Sequence, residues 1–259
     1  MTGKTPKSVD STSSTLEPVD STWASSSRMA QDYLKTLWGG EESGKHGMSV
    51  NDLASAMGVV ASTASENVSR LVANGLVTHE PYRKVHFTDE GRALAISMVR
   101  RHRLLETYLH DRLNFEWDEV HEEAEILEHA ISDRLLAHID EALGKPERDP
   151  HGDLIPREDG SVVERVIYPL VATSKKTPGA EAGKWYRVTR LSDEDSASLR
   201  VLDSEGIGLD ALVRIVDIDQ AGQVSLEIRQ ATAPTVGAGR SARLTGDVAS
   251  IVMVSPLDD

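Results

Sequence analysis

The chain has 259 residues, which is long enough for two or three compact domains, each with a core of its own. It contains no cysteine, so disulfides, thiolate zinc sites and iron–sulfur clusters are excluded, and any metal must be held by nitrogen, oxygen or thioether ligands. The formal net charge of −14 argues against general nucleic-acid affinity, although it is compatible with a locally basic element, with carboxylates that bind cations, or with solubility alone.

The first 26 residues are rich in serine and threonine and poor in large apolar side chains. Such a segment cannot bury enough surface to offset the entropy of ordering, so we expect residues 1–26 to form a disordered tail. The sequence shows neither an apolar signal-peptide core nor a run long enough to span a bilayer. We therefore expect a cytoplasmic protein with no membrane partner.

Three short helices and a hairpin are predicted between residues 27 and 90. Apolar residues recur at helical spacing, and glycine follows each helix as a stop signal. Two short helices joined by a tight turn indicate a helix-turn-helix, and the hairpin is typical of the wing of a winged-helix domain. The predicted elements are helix one from 29 to Gly39-Gly40, helix two from Ser49 to Gly58, helix three from Ser62 or a neighbour to Gly75, and strands 76–78 and 85–87.

Two longer helices follow. Thr88 and Asp89 can cap the first, which continues past residue 105, and the second is predicted from about 117 to 143, before Gly144. Apolar residues of the second helix form one stripe, which can pack within the chain or pair two subunits. The stripe contains Val120, Ala124, Leu127, Ile131, Leu135, Ile139 and Leu143.

The last third of the chain changes character. Residues 146–183 are rich in proline, glycine and charge, which indicates a linker or an irregular ordered connection. Short β-rich runs separated by glycine and aspartate turns then occur at 185–188, 211–216, 224–228 and 248–254. A small barrel of about 75 residues fits this pattern.

The second long helix contains a stretch rich in metal-binding side chains. Glu125, Glu128 and His129 are spaced i, i+3 and i+4, and His121 lies one turn earlier, so all four share one surface away from the apolar stripe. A solvated polar face is the plainer interpretation of this stretch taken alone.

A second pair of metal-binding side chains, on the preceding helix, favours a metal site over a solvated polar face. His102 and Glu106 lie at i and i+4, and ligand pairs on neighbouring helices are how helix bundles assemble carboxylate–histidine metal sites. The metalloprotease motif His-Glu-x-x-His is absent, and the sequence offers no separate general base. We therefore expect no enzyme and no small-molecule substrate. A metal-dependent hydrolase and a metal-binding module without a DNA role stay as remoter alternatives.

The third predicted helix carries small polar side chains that suit base-edge and phosphate contacts in a major groove. Such residues are also ordinary on helix surfaces, but basic residues of the wing supply the local positive charge that the whole chain lacks. The predicted DNA contacts are Ser62, Thr63, Ser65, Glu66, Asn67 and Arg70 on the helix, with Arg83 and Lys84 on the wing.

In this order, the features resemble the diphtheria-toxin-repressor family. The resemblance runs from about Gln31 to the C terminus and rests on the motifs His102-Arg-Leu-Leu-Glu106, Val120-His121-Glu-Glu, Glu128-His129-Ala-Ile-Ser-Asp133 and Asp149-Pro-His151-Gly. It implies a mainly α fold with a small β part. The implied parts are an N-terminal winged helix-turn-helix (27–90), a helical dimerisation and metal-binding domain (91–145), a linker (146–183) and a C-terminal SH3-like β-barrel (184–259).

The resemblance implies a primary metal site at Asp32, Glu125, Glu128 and His129. Iron-type members tend to carry Met and Cys where this chain has Asp32 and Glu125, and hard carboxylate oxygens favour Mn(II) over softer metals. The segment Ser62-Thr-Ala-Ser-Glu66 also most resembles the manganese-responsive branch. We expect Mn²⁺ as the cofactor, with Fe²⁺ as the alternative.

A second metal site is implied at His102, Glu106 and His121, and its candidate completions are Asp149, His151 and Asp193. One departure from the family concerns Lys35. Short manganese regulators carry a glutamate at this position, one turn after the aspartate of the first helix. We therefore expect that their closely spaced two-metal cluster does not form in this chain.

The implied function is a metal-dependent transcriptional repressor of metal-uptake genes. Metal would fix the winged-helix heads relative to dimer-forming helices. The homodimer would then meet successive major grooves of a palindromic, double-stranded operator. An Fe(II)-dependent regulator of the same family is the nearer alternative.

Overall fold

A computed structural model describes residues 27–157, 159–162, 166–172, 179–193, 195–229 and 240–257. The predicted disordered tail, 1–26, lies outside these ranges. Within them, no helix combines the length and the apolar composition needed to cross a bilayer.

Three helices and a two-stranded hairpin form the N-terminal unit. They are α1 (Arg28–Glu42), α2 (Val50–Ala56), α3 (Ala61–Ala73), β1 (Val77–Thr78) and β2 (His86–Phe87), with β1 antiparallel to β2. Ser49 and Asp52 form a reciprocal capping box at the start of α2. Side chains from all three helices and the hairpin share one buried core, which confirms the winged helix-turn-helix arrangement.

Two predicted boundaries in this unit are wrong. Helix α1 continues through Gly39 and Gly40 to Glu42, because Leu37 and Trp38 are buried in the core and Gly40 lies directly against Met48. Packing therefore outweighs the low helix propensity of glycine. Helix α3 starts after Val60, which makes no side-chain cap, and not after Ser62.

A single helix from 117 to 143 was also a wrong prediction. After α4 (Asp89–Leu113), the chain forms α5 (Val120–Leu127) and a separate α6 (Asp133–Leu143). Ser132 begins α6, and its side chain accepts a hydrogen bond from the Leu135 amide. The interruption places Glu128 and His129 in a turn, where they face α1 rather than continuing along a helix.

The apolar stripe is correspondingly divided. Val120 and Ala124 are fully buried against α4, and Ile139 is buried in the same cluster. Leu127 and Leu135, in contrast, are 38% and 52% exposed. The stripe thus packs partly within the chain and partly leaves apolar side chains on the surface.

The first part of the predicted linker is an ordered connection. A bridge joins Arg148 to Leu154, and the turn between them buries His151 completely. Gly152 has a φ of 92°, and a Cβ at this position would lie 2.2 Å from the Thr189 carbonyl oxygen. Only glycine allows the connection to lie this close to the C-terminal sheet.

The C-terminal part is a six-stranded antiparallel sheet of strand order β3-β8-β4-β5-β6-β7. Its apolar side chains alternate along the strands and bury one core together with both helices, as in an SH3-like domain. The elements are β3 (Tyr168–Pro169), β4 (Trp185–Leu191), α7 (Ser196–Ser204), β5 (Leu212–Ile218), β6 (Val224–Arg229), β7 (Arg240–Leu244), α8 (Gly246–Ser250) and β8 (Val252–Pro256). The strand predicted at 248–254 is therefore wrong in its first half, which is α8.

Candidate metal centre

All ten predicted metal ligands converge on one polar region, where α1, α4, α5, the turn after α5, the ordered connection and the end of β4 meet. Possible ligand atoms lie within 4.8 Å of one another in four overlapping sets, and Glu125 falls in a set with Glu128 and His102 rather than with Asp32 and His129. The two predicted sites divide these residues into a primary and a second group. The primary group consists of Asp32, Glu125, Glu128 and His129. The second group consists of His102, Glu106, His121, Asp149, His151 and Asp193.

The imidazole of His129 is fixed by a residue that the sequence did not single out. His129 Nδ1 lies 2.6 Å from Gln31 Oε1, to which it donates its proton. The lone pair of Nε2 then faces Asp32 Oδ1 at 3.1 Å and Glu128 Oε1 at 3.5 Å. Asp32 Oδ1 and His129 Nε2 are buried and lack a hydrogen-bond partner within the described ranges. Two buried atoms, Asp32 Oδ1 and His129 Nε2, thus lie together beside Glu128, and no described residue donates a hydrogen bond to either.

Lys35 lies beside these acceptors. Its ammonium donates to both carboxylate oxygens of Glu128, at 2.9 and 3.0 Å, and contacts Glu125 Oε1. Burial opposes the charged form of the amine, but Glu128 and Glu125 outweigh it and raise the pKa of Lys35. Burial raises the pKa of Asp32, and the charges of Glu125 and Glu128 add to that effect. The primary group therefore holds more negative charge than its own side chains neutralise.

His102 connects the two groups. Its Nδ1 lies 2.5 Å from Glu128 Oε2, and its Nε2 lies 2.9 Å from Glu106 Oε1. Burial lowers the pKa of His102, but the carboxylate of Glu106 and the hydrogen bonds to both glutamates outweigh burial and raise it to about 9. In the metal-free chain, His102 is thus an imidazolium that donates to one carboxylate of each group.

His121 and Asp193 form a second charged pair. His121 Nδ1 lies 2.8 Å from Asp193 Oδ2 and 3.3 Å from Glu106 Oε1. Burial opposes both charges. The hydrogen bond between the two side chains nevertheless raises the pKa of His121 to about 10 and holds the pKa of Asp193 below its usual range.

The deepest part of the second group contains Glu106, Asp149 and His151. His151 Nε2 donates to the Trp117 carbonyl oxygen at 2.6 Å, so Nδ1 carries the lone pair. Nδ1 lies 4.0 Å from Glu106 Oε2, and both atoms are buried without a hydrogen-bond partner among the described residues. Burial and the nearby carboxylates of Asp153 and Glu106 raise the pKa of Asp149 well above its usual range.

The nitrogen and oxygen atoms of both groups fit a divalent cation. Burying a hydrogen-bond acceptor without a hydrogen-bond donor costs free energy, and a bound cation removes that cost. In each group, one histidine nitrogen donates to a fixed carbonyl oxygen while the other faces carboxylates, which is how metal-binding imidazoles are generally oriented. The Gln31 amide and the Trp117 backbone carbonyl do this here, and neither has a sequence signal that could have revealed it.

The side chains predicted to contact DNA are mostly exposed. Helix α3 exposes its small polar side chains, and Arg70 forms an ion pair with Glu66 at 2.5 Å. Asn67 differs from the others because its amide donates to the Tyr33 hydroxyl of α1 at 3.4 Å. On the wing, Arg83 is exposed and Lys84 donates to the His46 carbonyl oxygen.

Comparisons with known families cover both N-terminal units. The N-terminal DNA-binding domain of iron-dependent repressors matches residues 26–85. The metal-binding and dimerisation domain of iron-dependent repressors matches residues 88–157.

The names of individual relatives include iron-dependent and manganese-dependent repressors. The iron-dependent repressor IdeR of Mycobacterium bovis is 33% identical over 159 residues, which cover 61% of this chain and 64% of that repressor's length. The diphtheria toxin repressor of Corynebacterium efficiens is 29% identical over 239 residues, 87% of this chain and 94% of the relative. A solved manganese-dependent transcriptional repressor in complex with manganese is 44% identical, with a TM-score of 0.78, over 88% of this chain and 100% of the other.

These relatives are named as transcriptional repressors and not as enzymes, as the sequence predicted. The two matched domains also occur here in the order that the sequence motifs indicated. The chain therefore belongs to the diphtheria-toxin-repressor family of metal-dependent transcriptional repressors.

Proposed function

We propose that this chain is an Mn(II)-dependent repressor whose metal-loaded homodimer binds palindromic operator DNA and controls metal-uptake genes. The observation that carries this proposal is the convergence of Asp32 Oδ1, Glu128 Oε1 and His129 Nε2, of which Asp32 Oδ1 and His129 Nε2 are buried without a hydrogen-bond partner among the described residues. Asp32, Glu125, Glu128 and His129 would hold the ion. When bound, Mn(II) supplies the positive charge that these carboxylates lack.

The choice of manganese follows from donor chemistry. Three of the four proposed primary ligands are carboxylates, and the chain contains no cysteine. Mn(II) prefers oxygen donors, whereas thiolates favour softer metals. The name of the manganese-dependent neighbour supports this choice, and the names of the iron-dependent relatives keep Fe(II) as the alternative.

We propose a second metal site at His102, Glu106 and His121, completed by Asp149, His151 and Asp193. The orphaned Glu106 Oε2 and His151 Nδ1 support the deeper part of this set. His102 and His121 would each have to lose a proton before they could bind a metal, because their pKa values are raised. The second site is therefore the more pH-sensitive of the two.

The coupling from metal to DNA would run through α1. Asp32 lies on α1, whereas Glu128 and His129 lie in the turn after α5, so ligands that share one ion tie the two elements together. The hydroxyl of Tyr33, the next residue of α1, accepts a hydrogen bond from the side-chain amide of Asn67 on α3. A fixed α1 thus fixes the recognition helix, and DNA affinity rises by preorganisation.

Dimerisation would place two such recognition helices on successive major grooves. The exposed Leu127 and Leu135 on the α5–α6 segment are apolar side chains that a second subunit can cover. We keep the predicted domain limits of 27–90 for DNA binding, 91–145 for dimerisation and metal binding, and 184–259 for the SH3-like domain.

The direct test is a DNA-binding titration. An operator is first selected from a random duplex library with the manganese-loaded chain, and binding is then followed by fluorescence anisotropy with Mn(II), Fe(II) and Zn(II). Glu125→Ala should require at least about tenfold to a hundredfold more Mn(II), because loss of a ligand should cost no less than loss of a partner that only orients one. Glu122→Ala, an exposed carboxylate on the same helix, serves as the control and should leave binding unchanged. Binding that needs no metal would contradict the proposal.

The remoter alternatives give opposite results with a variant of the recognition helix. Arg70→Ala should abolish operator binding by a repressor but leave the turnover of a metal-dependent hydrolase intact. Arg70 is exposed, and its only ion pair on the described surface is with Glu66 on the same helix, so its removal spares the metal groups.

A further inference from the structure

We propose that Lys35 is a built-in competitor for the primary metal, an ammonium ion tethered to α1 that must leave before a divalent cation can bind. The inference rests on the proposed function, because it assumes that Glu125 and Glu128 are metal ligands. It concerns the metal concentration at which the repressor becomes active.

The contacts of Lys35 carry this proposal. Its Nζ lies 2.9 and 3.0 Å from the two oxygens of Glu128 and also contacts Glu125 Oε1. Glu128 has no exposed side-chain surface, and each of its two carboxylate oxygens already accepts one hydrogen bond from Lys35, so a metal would have to compete with the ammonium for these oxygens. The ammonium thus lies among the same carboxylate oxygens that the primary group would offer to an ion.

A metal ion at these oxygens would be repelled by the ammonium. A transition-metal ion lies about 2.0 to 2.2 Å from a carboxylate ligand, which would leave it within a few ångströms of the ammonium, and repulsion at that distance is strong inside a protein. The Lys35 side chain is 19% exposed, so it has a route toward solvent. Metal binding therefore exchanges two charged contacts of Lys35 for metal bonds.

This exchange raises the metal concentration needed for binding without favouring one metal. The contacts that must be broken belong to the metal-free chain. Breaking them therefore lowers the binding affinity of every divalent ion by the same factor. Lys35 would set the threshold of the response, while the carboxylate ligands would set the choice of metal.

The first measurement is metal affinity, by calorimetric titration of the full chain with Mn(II). Lys35→Leu should bind Mn(II) about tenfold or more tightly, the scale of one charged hydrogen bond that no longer has to be broken. Lys35→Arg keeps a cation and should stay close to wild type. Lys45→Leu removes the same charge from an exposed position of the same unit and controls for a general change of charge.

The second measurement follows the lysine itself. An amine-acetylating reagent, with mass spectrometry to locate the label, should modify Lys35 slowly in the metal-free chain and several-fold faster with saturating Mn(II), because the amine is then displaced. The thermal midpoint of Lys35→Leu should fall in chelator but not with Mn(II). If Lys35 had only a structural role, Lys35→Leu would lower the thermal midpoint both in chelator and with Mn(II).

The outcomes separate this inference from the proposed function. The competitor role of Lys35 is disproved if wild type binds Mn(II) but Lys35→Leu binds no more tightly, or if Lys35 stays protected from acetylation in the metal-loaded chain. Either result leaves the proposed repressor function intact. If wild type shows no saturable Mn(II) binding, the proposed function fails and the inference fails with it.

Discussion

At the scale of single residues, the orientation of the imidazoles decides what the centre can bind. His129 and His151 each donate one ring proton to a fixed carbonyl oxygen, of Gln31 and Trp117 respectively, and face carboxylates with the other nitrogen. A histidine that rotated freely would present either nitrogen or neither. At the proposed metal sites, the two carbonyl oxygens would therefore contribute to metal affinity without touching the metal.

Gln31→Leu should weaken Mn(II) binding by about tenfold to a hundredfold, since partners that orient a ligand have effects of this size. The variant keeps the size of the side chain but removes the acceptor of the His129 proton. Calorimetric titration measures the change. Gln31→Glu, which keeps an acceptor, is the matched control and should bind at least as well as wild type. Equal affinity of wild type and Gln31→Leu would show that His129 needs no such partner.

His102 gives the metal-free chain a pH dependence with a definite sign. Its folded pKa of about 9 lies above the ordinary value of 6.5, so the protonated form stabilises the fold. That contribution is complete below about pH 6.5 and is lost as the pH rises through 9, and His121 acts in the same direction. Urea unfolding in chelator should therefore show stability falling from pH 6.5 to 9.

The matching variants are His102→Gln and His138→Gln. His102→Gln should make the decline above pH 6.5 shallower but not abolish it, because His102 no longer titrates whereas His121 still does. The exposed His138 forms no part of the centre, so its variant should follow the wild-type profile. A wild-type stability that rises over this range would mean that His102 is neutral in the fold.

The residues that converge on the proposed metal centre could be predicted from the sequence, but their hydrogen-bond partners could not. Spacing on helices and family motifs indicated all ten residues that converge here, because i, i+3 and i+4 positions share a face whatever the tertiary structure. Gln31 and the Trp117 carbonyl contribute through contacts between distant segments. The position of Lys35 was noted as a departure from the family, whereas its contacts with Glu125 and Glu128 required the structure.

At the scale of elements, local sequence signals predict helix boundaries correctly where a capping side chain determines them. They fail where tertiary packing determines them. Ser49 and Thr88 begin helices as predicted, because their side chains satisfy free amides. The glycines of α1 did not end that helix, since Trp38 and its neighbours bury it. The break after α5 was missed because the apolar period continues across it, although Ser132 could have marked the start of α6.

Two glycines with opposite surroundings test this distinction. Gly91, in the first turn of α4, lies so close to the Leu76 carbonyl that an added Cβ would be 1.7 Å from the oxygen. Gly91→Ala should therefore force α4 away from β1 and destabilise the chain by about 1 to 3 kcal/mol or more. Gly39 is helical with nothing within 4 Å. Gly39→Ala should stabilise the chain by about 0.5 to 1 kcal/mol.

Chemical denaturation of the two alanine variants measures both changes. Because each substitution adds one methyl group in a helix, the difference in sign isolates close packing from helix propensity. If Gly91→Ala were neutral, the contact between α4 and the end of β1 would have to be loose.

At the scale of the whole molecule, one buried arginine joins the three parts of the chain. Arg103 of α4 donates to Glu42 at the end of α1, to the Leu154 carbonyl oxygen and to Asp153 of the ordered connection. Arg190 of β4 donates to the same Asp153 oxygen. The charges of Asp153 and Glu42 outweigh burial and raise the pKa of Arg103, which stays charged. The DNA-binding unit, the metal-binding helices and the sheet thus share a single charge network.

Breaking this network should be costly, because it leaves buried carboxylates without their cation. Arg103→Met keeps the length of the side chain and should destabilise the chain by about 3 to 5 kcal/mol, the usual cost of removing one partner of a buried pair. Arg70→Met, which breaks the exposed pair with Glu66, should cost no more than about 1 kcal/mol. Urea unfolding of both variants in chelator gives the comparison. The network would be dispensable if the two costs were equal, and the sheet would then be held to the helices by its other contacts, which include the Gly152 turn and the His121–Asp193 pair.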